Sequence, residues 1–453
     1  MATSWSIAIS PTAAYLRHFG YRQKWLVIIL VFVLFALGGH ELRYTLLADV
    51  TIHGSLANRQ AGHPLRLMGY GVLAVTALLG LQWRRPRATW ADRRLLWCMV
   101  ATFAWMGLSV LWSHITYLSI KTLVGALLLW IGCAGIGRQM TLSAIRTAGL
   151  IYAGAVCVLG VGCEVVLGTW RPFTPSYRFC GTTDPNAQGL ICAVLIISLL
   201  TYAPSTRYVN TIRWLGVAFA TSLLILTQSR GAMVALMLSI VAVAVIRRQH
   251  VGKIIAISVM CLLSCALLAA LAGDVSEVSN RLRSTATLER DTVDAQGVGD
   301  ARVDVWRECL ARLRSRPLLG FGYGAFWDEQ RLQDVQDSIG WAATQAHSGY
   351  IETAINTGII GLLGLLTTFI MALTYYIRKY RATPRGEMRY AIALIVLFLT
   401  SMLFESVTST TYVTHVLALC IVMKEALRIS GSRASHVPWS QLNTSNAVQA
   451  ART

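Results

Sequence analysis

Residues 347–377 read HSGYIETAINTGIIGLLGLLTTFIMALTYYI, a stretch in which Glu352 is the one acidic residue and Lys and Arg are absent. A helix needs about 20 mostly apolar residues to span the hydrocarbon core of a bilayer. The run from 349 to 377 exceeds this length, so it predicts a membrane-spanning helix that is preceded by a polar His–Ser pair.

Apolar blocks of similar length recur along the rest of the chain. We predict twelve membrane-spanning helices, at residues 25–41, 66–83, 95–113, 118–137, 147–168, 187–204, 212–229, 231–246, 253–272, 349–377, 388–405 and 410–425. The 453 residues are 55% hydrophobic and 13% charged, about half the charged fraction of a typical soluble domain. The predicted fold class is an all-α polytopic membrane protein, and the composition argues against a soluble enzyme, a disordered regulator or a disulfide-stapled secreted domain.

The net charge of +19 would by itself suggest a nucleic-acid partner. The basic residues, however, concentrate in alternate short connections, such as residues 84–94 and 378–389. Short loops rich in Lys and Arg lie in the cytoplasm. The charge therefore predicts a topology with both termini cytoplasmic, and nucleic acid is not an expected partner.

One connection on the other side, residues 273–348, is too long for a simple loop and carries 12 of the 21 acidic residues. Apolar residues recur at helical spacing from Val303 to Leu313, which predicts an amphipathic helix that ends at Pro317. We expect a partly helical cap on the outer membrane surface. The predicted organisation is a cytoplasmic N-terminus at 1–24, nine spans in 25–272, the cap at 273–348, three spans in 349–425 and a disordered cytoplasmic tail at 426–453.

Cysteine spacing predicts no zinc site, and most of the ten cysteines fall inside predicted spans. Cys180 and Cys309 lie outside the spans, and a disulfide between them is left open. No Asp-x-Asp or paired-carboxylate arrangement suggests a metal on the outer face, so no metal or other cofactor is expected.

Arg230 lies in the hairpin Gln228-Ser229-Arg230-Gly231, between two apolar runs and on the side where positive charge is not favoured. Ionisable groups at such a boundary are costly and are usually functional. The guanidinium could grip phosphate oxygens, or it could be an arginine that extends from a helix end toward water.

Arg178 begins a second polar segment, which continues through Asp184-Pro185-Asn186. Taken alone, this segment reads as a solvated loop followed by a turn and a helix start. His347 precedes Ser348 and Tyr350 at the entry to the long span. A histidine there could act as a general base near neutral pH or simply pack, and Gly358, Gly361 and Gly364 would allow close helix packing.

These residues together resemble the O-antigen ligase and polymerase superfamily of bacterial envelope glycosyltransferases. The ligase signature begins with His followed by Asn, Ser or Gln. Nine residues later comes a Gly, and after two more residues comes Gly, Thr or Tyr. His347, Ser348, Gly358 and Gly361 match this signature. The Ser229–Gly231 hairpin, the segment from Arg178 to Asn186 and the stretch from Arg302 to Gly322 are similar to further features of that superfamily.

The resemblance implies a GT-C-like enzyme of the bacterial inner membrane with its active site facing the periplasm. It implies metal-independent, inverting transfer of O-antigen from undecaprenyl diphosphate to a sugar hydroxyl of lipid A–core, with membrane lipids as the surroundings. His347 would be the general base, and the diphosphate would be bound by Arg178, Arg230 and Arg302. The supporting residues would be Ser348, Tyr350, Asp184, Asn186, Gly358 and Gly361.

Three alternatives stay open at this point. A polymerase or a protein O-oligosaccharyltransferase of the same superfamily shares these motifs, and a transporter could bind the lipid-linked glycan without reacting. The partner that orients His347 is also open among Asp184, Glu164 and a backbone carbonyl.

Overall fold

The computed structural model describes residues 11–38, 64–82, 93–172, 174, 177–204, 206–247, 298–339, 343–407 and 412–427. Within these ranges the chain is entirely helical apart from turns and connections, and no strand is present. The helices are α1 (Pro11–Leu37), α2 (Pro64–Gln82), α3 (Arg93–Leu108), α4 (Thr116–Gln139), α5 (Leu142–Val166), α6 (Pro185–Leu200), α7 (Arg207–Leu226), α8 (Arg230–Ile246), α9 (Val298–Leu313), α10 (Glu329–Ile339), α11 (Gly349–Ala382), α12 (Gly386–Ser401) and α13 (Val413–Ala426). A short 3₁₀ helix, Ser109–Trp112, extends α3.

The helices coincide with eleven of the twelve predicted spans, whereas the ninth, 253–272, lies outside the described residues. Five helical stretches are long and apolar enough to cross a membrane: α3 with its 3₁₀ extension, α4, α5, α7 and α11. The stretches Gln23–Leu37, Pro185–Leu200 and Arg230–Ile246 are apolar but shorter. The predicted all-helical fold is thus confirmed for the described residues and is consistent with a membrane protein, while the number of crossings stays a prediction.

The described part of the predicted cap contains α9 and α10. The helix expected to end at Pro317 ends at Leu313, because the N–H groups of Ser315 and Arg316 bond to carbonyls three residues earlier and tighten the last turn. The proposed boundaries of the cap and of the C-terminal tail fall partly on residues outside the described ranges.

The helices at the centre of the bundle are buried on all sides, whereas peripheral helices expose apolar faces. α6, α12 and α13 bury most of their residues. In contrast, α7 exposes large apolar side chains, including Trp214 and Leu215. A helix that is apolar all round and exposed on one side is typical of contact with lipid.

The long helix α11 is interrupted at Gly358, where the backbone adopts φ 71° and ψ 179°. The segment 317–322 crosses this break: the N–H of Ile359 bonds to Pro317 O (2.9 Å), and the N–H groups of Phe321 and Gly322 bond to Ile355 O and Asn356 O (2.9 Å each). Backbone groups freed inside a membrane protein must find internal partners. The 317–322 segment supplies those partners, and it therefore belongs to the helix architecture and not to a free loop.

Glycine is therefore needed at each of these positions for a different structural reason. A Cβ at Gly358 would lie 1.9 Å from the carbonyl oxygen of Leu318, so this glycine allows a chain crossing, and its assignment to helix packing is wrong. A Cβ at Gly364 would lie 2.7 Å from Thr102 Oγ1, so close packing of α11 on α3 accounts for this glycine, as expected. A Cβ at Gly361 would lie 2.0 Å from Thr357 Oγ1 of α11 itself and 3.2 Å from Trp105 of α3, so this glycine makes room mainly for the Thr357 side chain.

We predict that Gly358→Ala destabilises the protein by well over the roughly 1 kcal/mol that is typical of point mutants. Alanine would meet both the left-handed φ and the Leu318 carbonyl, a backbone atom that cannot rotate away. The measurement is the melting temperature and the yield of monodisperse protein in detergent. Gly162→Ala on α5 is the control, because a Cβ there meets no atom within 4 Å. Equal melting temperatures for the two variants would contradict the assignment.

Candidate functional site

The His347 backbone is held in a left-handed conformation (φ 48°) at the entry to α11. The N–H of Ala346 donates to Glu352 Oε2 (2.9 Å), and the Ala346 carbonyl accepts from Trp306 Nε1 (2.9 Å). On the other side, the N–H of Gly349 donates to Met402 O (2.7 Å). The chain is thus anchored one residue before and two residues after His347.

Ser348 and Tyr350 attach the start of α11 to the end of α12. Ser348 is the N-cap of α11, and its hydroxyl also donates to Met402 O (3.3 Å). The Tyr350 hydroxyl donates to Leu399 O (2.6 Å). The two residues named as supporting in the motif therefore fix the position of His347 relative to α12.

Glu405, four residues beyond the end of α12, lies between the imidazole of His347 and the guanidinium of Arg302. Its Oε2 is 3.8 Å from His347 Nδ1, and its Oε1 is 3.0 Å from Arg302 Nη2. Arg302 Nη1 also donates to Phe404 O (2.9 Å). Glu405 is 5% exposed, so its charge is taken almost fully out of water and needs these partners.

Sequence reasoning missed Glu405. The acidic partner of His347 in the structure is neither Asp184 nor Glu164, which were the two carboxylates considered for that role. A usable signal existed: Glu405 is a single acid at the end of the apolar run 388–405. An acid in such a position is costly and therefore informative.

Glu164 instead holds the loop that carries Arg178. Its Oε1 accepts from the N–H groups of Cys180 (2.9 Å) and Gly181 (2.8 Å), and its Oε2 accepts from the Tyr177 hydroxyl. The carboxylate is 2% exposed. It determines the shape of the 177–181 loop.

Arg178 is directed toward the hairpin between α7 and α8. Its Nε donates to Thr227 O (3.1 Å) and its Nη2 to Asn186 Oδ1 (3.4 Å). Burial lowers the pKa of the Arg178 guanidinium, and the charges of Arg302 and Glu405 act on it as well. The structure thus brings the two arginines, from distant parts of the sequence, into one electrostatic environment.

Asp184 is the N-cap of α6, as the turn interpretation of Asp184-Pro185-Asn186 predicted. Its Oδ1 accepts from the N–H groups of Asn186 and Ala187 (3.0 Å each). Burial, followed by the charge of Glu405, raises the pKa of the Asp184 carboxyl to about 6, and His347 opposes this shift. Asp184 is therefore coupled electrostatically to the His347–Glu405 pair.

Arg230 is the first residue of α8, and its side chain is exposed. Its neighbours line a small cavity that also includes the polar side chains of Asn186, Arg302 and Glu405. Gly231 lets α8 approach the segment that follows α12, since a Cβ there would lie 2.7 Å from the Cβ of Phe404. Arg230 thus lies at the rim of the cluster formed by Arg178, Asn186, Arg302, His347 and Glu405, called the His347 cluster below.

Two other sequence features have structural explanations. His415, an ionisable residue within the last predicted span, is buried and stacks on the Phe398 ring with centroids 5.3 Å apart. Cys180 and Cys309 are both free thiols, so the disulfide left open between them is absent. Across the described ranges, no group of three or more His, Cys, Asp or Glu side chains could hold a metal ion.

Comparison with known proteins identifies one family. The family model described as O-antigen ligase matches residues 215–366, about a third of the chain. This range contains Arg230, Arg302, His347, Gly358 and Gly361, and it confirms the resemblance found from the sequence. No curated protein matches the chain.

We predict that the melting temperature of Asp184→Asn increases relative to that of the native protein as the pH is raised from 5 to 8. The folded state raises this pKa from 3.8 to about 6, so it binds the proton more tightly than the unfolded state. The protonated Asp184 carboxyl therefore stabilises the folded native protein fully below pH 4, and this stabilisation is lost as the pH rises through 6. Asparagine retains the N-cap oxygen and cannot ionise.

The measurement is thermal unfolding of both proteins in detergent at several pH values. Asp304→Asn removes an exposed carboxylate of α9 and controls for the change in net charge. A melting-temperature difference between Asp184→Asn and the native protein that stays constant from pH 5 to 8 would contradict the raised pKa.

Proposed function

We propose that the chain, whose residues 215–366 carry the O-antigen ligase domain, transfers O-antigen from undecaprenyl diphosphate to a sugar hydroxyl of lipid A–core. The observation that carries the proposal is the arrangement of His347, Glu405 and Arg302 beside Arg178 at one end of the helix bundle. A lipid diphosphate donor needs cations to hold it, and a hydroxyl acceptor needs a base. The cluster offers both.

The proposed setting is the bacterial inner membrane, with the His347 cluster on the periplasmic side and both termini cytoplasmic. Support comes from the distribution of Lys and Arg in the short connections, which favours a cytoplasmic location for the opposite end of the bundle. The cap at 273–348 would then cover the reaction from the periplasm. Surrounding lipid would contact the exposed apolar faces of the outer helices.

Arg178 and Arg230 are proposed to bind the diphosphate. Charge-assisted hydrogen bonds from guanidinium groups suit phosphate oxygens, and they would offset the negative charge that builds up as the lipid diphosphate leaves. Arg302 uses both of its Nη atoms on Phe404 and Glu405. We therefore assign it mainly to the positioning of Glu405, with a secondary contact to the donor. Asn186 positions Arg178 through its side-chain oxygen.

His347 is proposed as the general base. Its Nδ1 lies 3.8 Å from Glu405 Oε2. A shift of less than 1 Å would let Nδ1–H donate to this carboxylate, and Nε2 would then accept a proton. The acceptor hydroxyl would lose its proton to Nε2 as its oxygen attacks the anomeric carbon. The bond from that carbon to the diphosphate oxygen breaks in the same displacement, which gives inversion. Glu405 would stabilise the imidazolium that forms.

The decisive experiment measures transfer with purified protein, lipid-linked O-antigen and lipid A–core. We expect His347→Asn to lower kcat by about 10²–10⁴-fold, the range typical of a lost general base. Asparagine tolerates the left-handed conformation of this position, so the variant should keep the melting temperature of the native protein. His114→Ala, in the connection between α3 and α4, is the control. Native turnover by His347→Asn would rule out the base role.

The same assay in EDTA tests metal independence, and activity that is lost and then restored by Mg²⁺ would disprove it.

We predict that Arg230→Lys weakens donor binding by at least about tenfold, equivalent to about 1.4 kcal/mol. Lysine keeps the charge but loses the planar pair of donors that matches phosphate. Arg171→Lys is the matched control, since Arg171 is another exposed arginine on the same side of the predicted membrane. The measurement is the KM for lipid-linked donor in the transfer assay. An unchanged KM and kcat for Arg230→Lys would argue against diphosphate contact.

Deletion of the gene separates the ligase from the related polymerase and from a transporter. The ligase predicts loss of long O-chains from lipid A–core, with full-length chains accumulating on the carrier lipid. Carrier lipid that holds a single repeat unit would indicate a polymerase. Transfer by the purified protein without any second membrane compartment would exclude a function limited to transport.

A further inference from the structure

A basic crevice lies at the end of the helix bundle opposite the His347 cluster. α6 and α8 begin beside that cluster, at Asp184 and Ser229, and the crevice is lined by residues near their far ends, Leu200 and Arg247. The 16 residues of α6 separate the two places by about 24 Å, at 1.5 Å per residue. The crevice is therefore a separate feature from the proposed active site.

The crevice combines apolar walls with cationic side chains. Ile197 of α6, Val243 of α8 and Trp214 of α7 contribute apolar surface. Arg213, Arg247 and Arg389 contribute the charge, and no Asp or Glu of the described ranges lines the space. Such a lining matches an amphiphile with an anionic head, because the head would meet the arginines and the apolar part would meet the apolar walls.

The arginines have unused capacity to bind an anion. Arg213 donates from its Nη atoms to Tyr202 O (3.1 Å) and Asn210 Oδ1 (2.7 Å). Its Nε is buried without a hydrogen-bond partner among the described residues. Arg389 is close enough to Arg247 and Arg146 to be repelled by both. A bound anion would satisfy the buried donor and relieve the repulsion.

The crevice is preformed by the turn that follows α6. Arg146 of α5 donates to Thr201 O (2.9 Å), and Arg213 binds the next carbonyl along the chain. The start of α12 also packs on this turn, since a Cβ at Gly386 would lie 2.9 Å from Thr201 O. Arg213 is thus held in place at the edge of the crevice by the backbone of this turn.

We infer that this crevice binds the phosphate headgroup of an anionic phospholipid from the leaflet at that end of the protein. Its acyl chains would run along the exposed apolar surface of α7 and α8, where Leu215 is 65% and Leu238 43% exposed. The apolar walls favour a lipid over a free phosphate ion, which would use the arginines alone. Basic pockets between membrane helices on the cytoplasmic side are suited to such headgroups.

The test compares lipid binding by native mass spectrometry, with the full-length protein stripped of lipid in detergent. The crevice variant carries Arg213→Gln, Arg247→Gln and Arg389→Gln. The control variant carries Arg378→Gln, Arg381→Gln and Arg385→Gln, three exposed arginines at the same end of the bundle. Each arginine that lines the crevice is expected to contribute about fivefold to the binding of an anionic headgroup, so the crevice variant should lose about a hundredfold in affinity for phosphatidylglycerol. The control arginines do not line the crevice, so the control variant should keep an affinity close to that of the native protein.

Several outcomes would overturn the inference. They are an equal loss in the control variant, equal affinity for phosphatidylcholine and phosphatidylglycerol, and displacement of the lipid by inorganic phosphate at an equal concentration. A second measurement does not depend on folding of the triple variant. Phosphatidylglycerol with brominated chains should quench the fluorescence of the native protein more than that of Trp214→Phe, and brominated phosphatidylcholine should not. Equal quenching of the native protein and Trp214→Phe by brominated phosphatidylglycerol would also refute the site.

Discussion

The exchange of backbone hydrogen bonds at Gly358 is the constraint on which the rest of the site depends. α11 gives up its own bonds at that residue, and the segment 317–322 replaces them. An unpaired peptide group is costly in an apolar environment, so the cap segment cannot leave without breaking the helix. α9 precedes this segment, and its Arg302 and Trp306 reach Glu405 and Ala346 on either side of His347. The crossing therefore ties the cap to the catalytic histidine that we propose.

Three buried carboxylates then hold the parts of the site together. Glu164 shapes the loop of Arg178, Glu352 fixes the peptide before His347, and Glu405 joins Arg302 to the imidazole. Each is 5% exposed or less. A buried carboxylate has to be paired or hydrogen-bonded. Glu164 and Glu352 meet that requirement with groups that are near in sequence, whereas Glu405 meets it with Arg302, 103 residues away. The acids thus organise a site whose proposed ligand contacts are basic.

The excess positive charge has two different consequences at the two ends of the bundle. Near His347, Arg302 is paired with Glu405, which limits the net positive charge beside the proposed diphosphate site. At the other end, Arg213, Arg247 and Arg389 share a crevice whose described lining contains no acid. The paired charges near His347 would suit a donor whose diphosphate must be released after the reaction. The basic crevice would suit a lipid that stays bound.

The amino-acid sequence by itself determined the helical membrane fold, because apolar length and the placement of Lys and Arg are local properties. The place of His347 before a membrane-length run also made it a candidate, and the family resemblance added Arg178 and Arg302 as candidates. Only the tertiary structure decided that Glu405 faces His347 and that Gly358 serves a chain crossing. These are contacts between residues that are far apart in sequence, and helical periodicity carries no information about which helix end meets which loop. The roles of the buried carboxylates were hidden for the same reason: Glu164, Glu352 and Glu405 stand out in the sequence as acids in or beside apolar runs, but the partners that make their burial possible become visible only after the chain has folded.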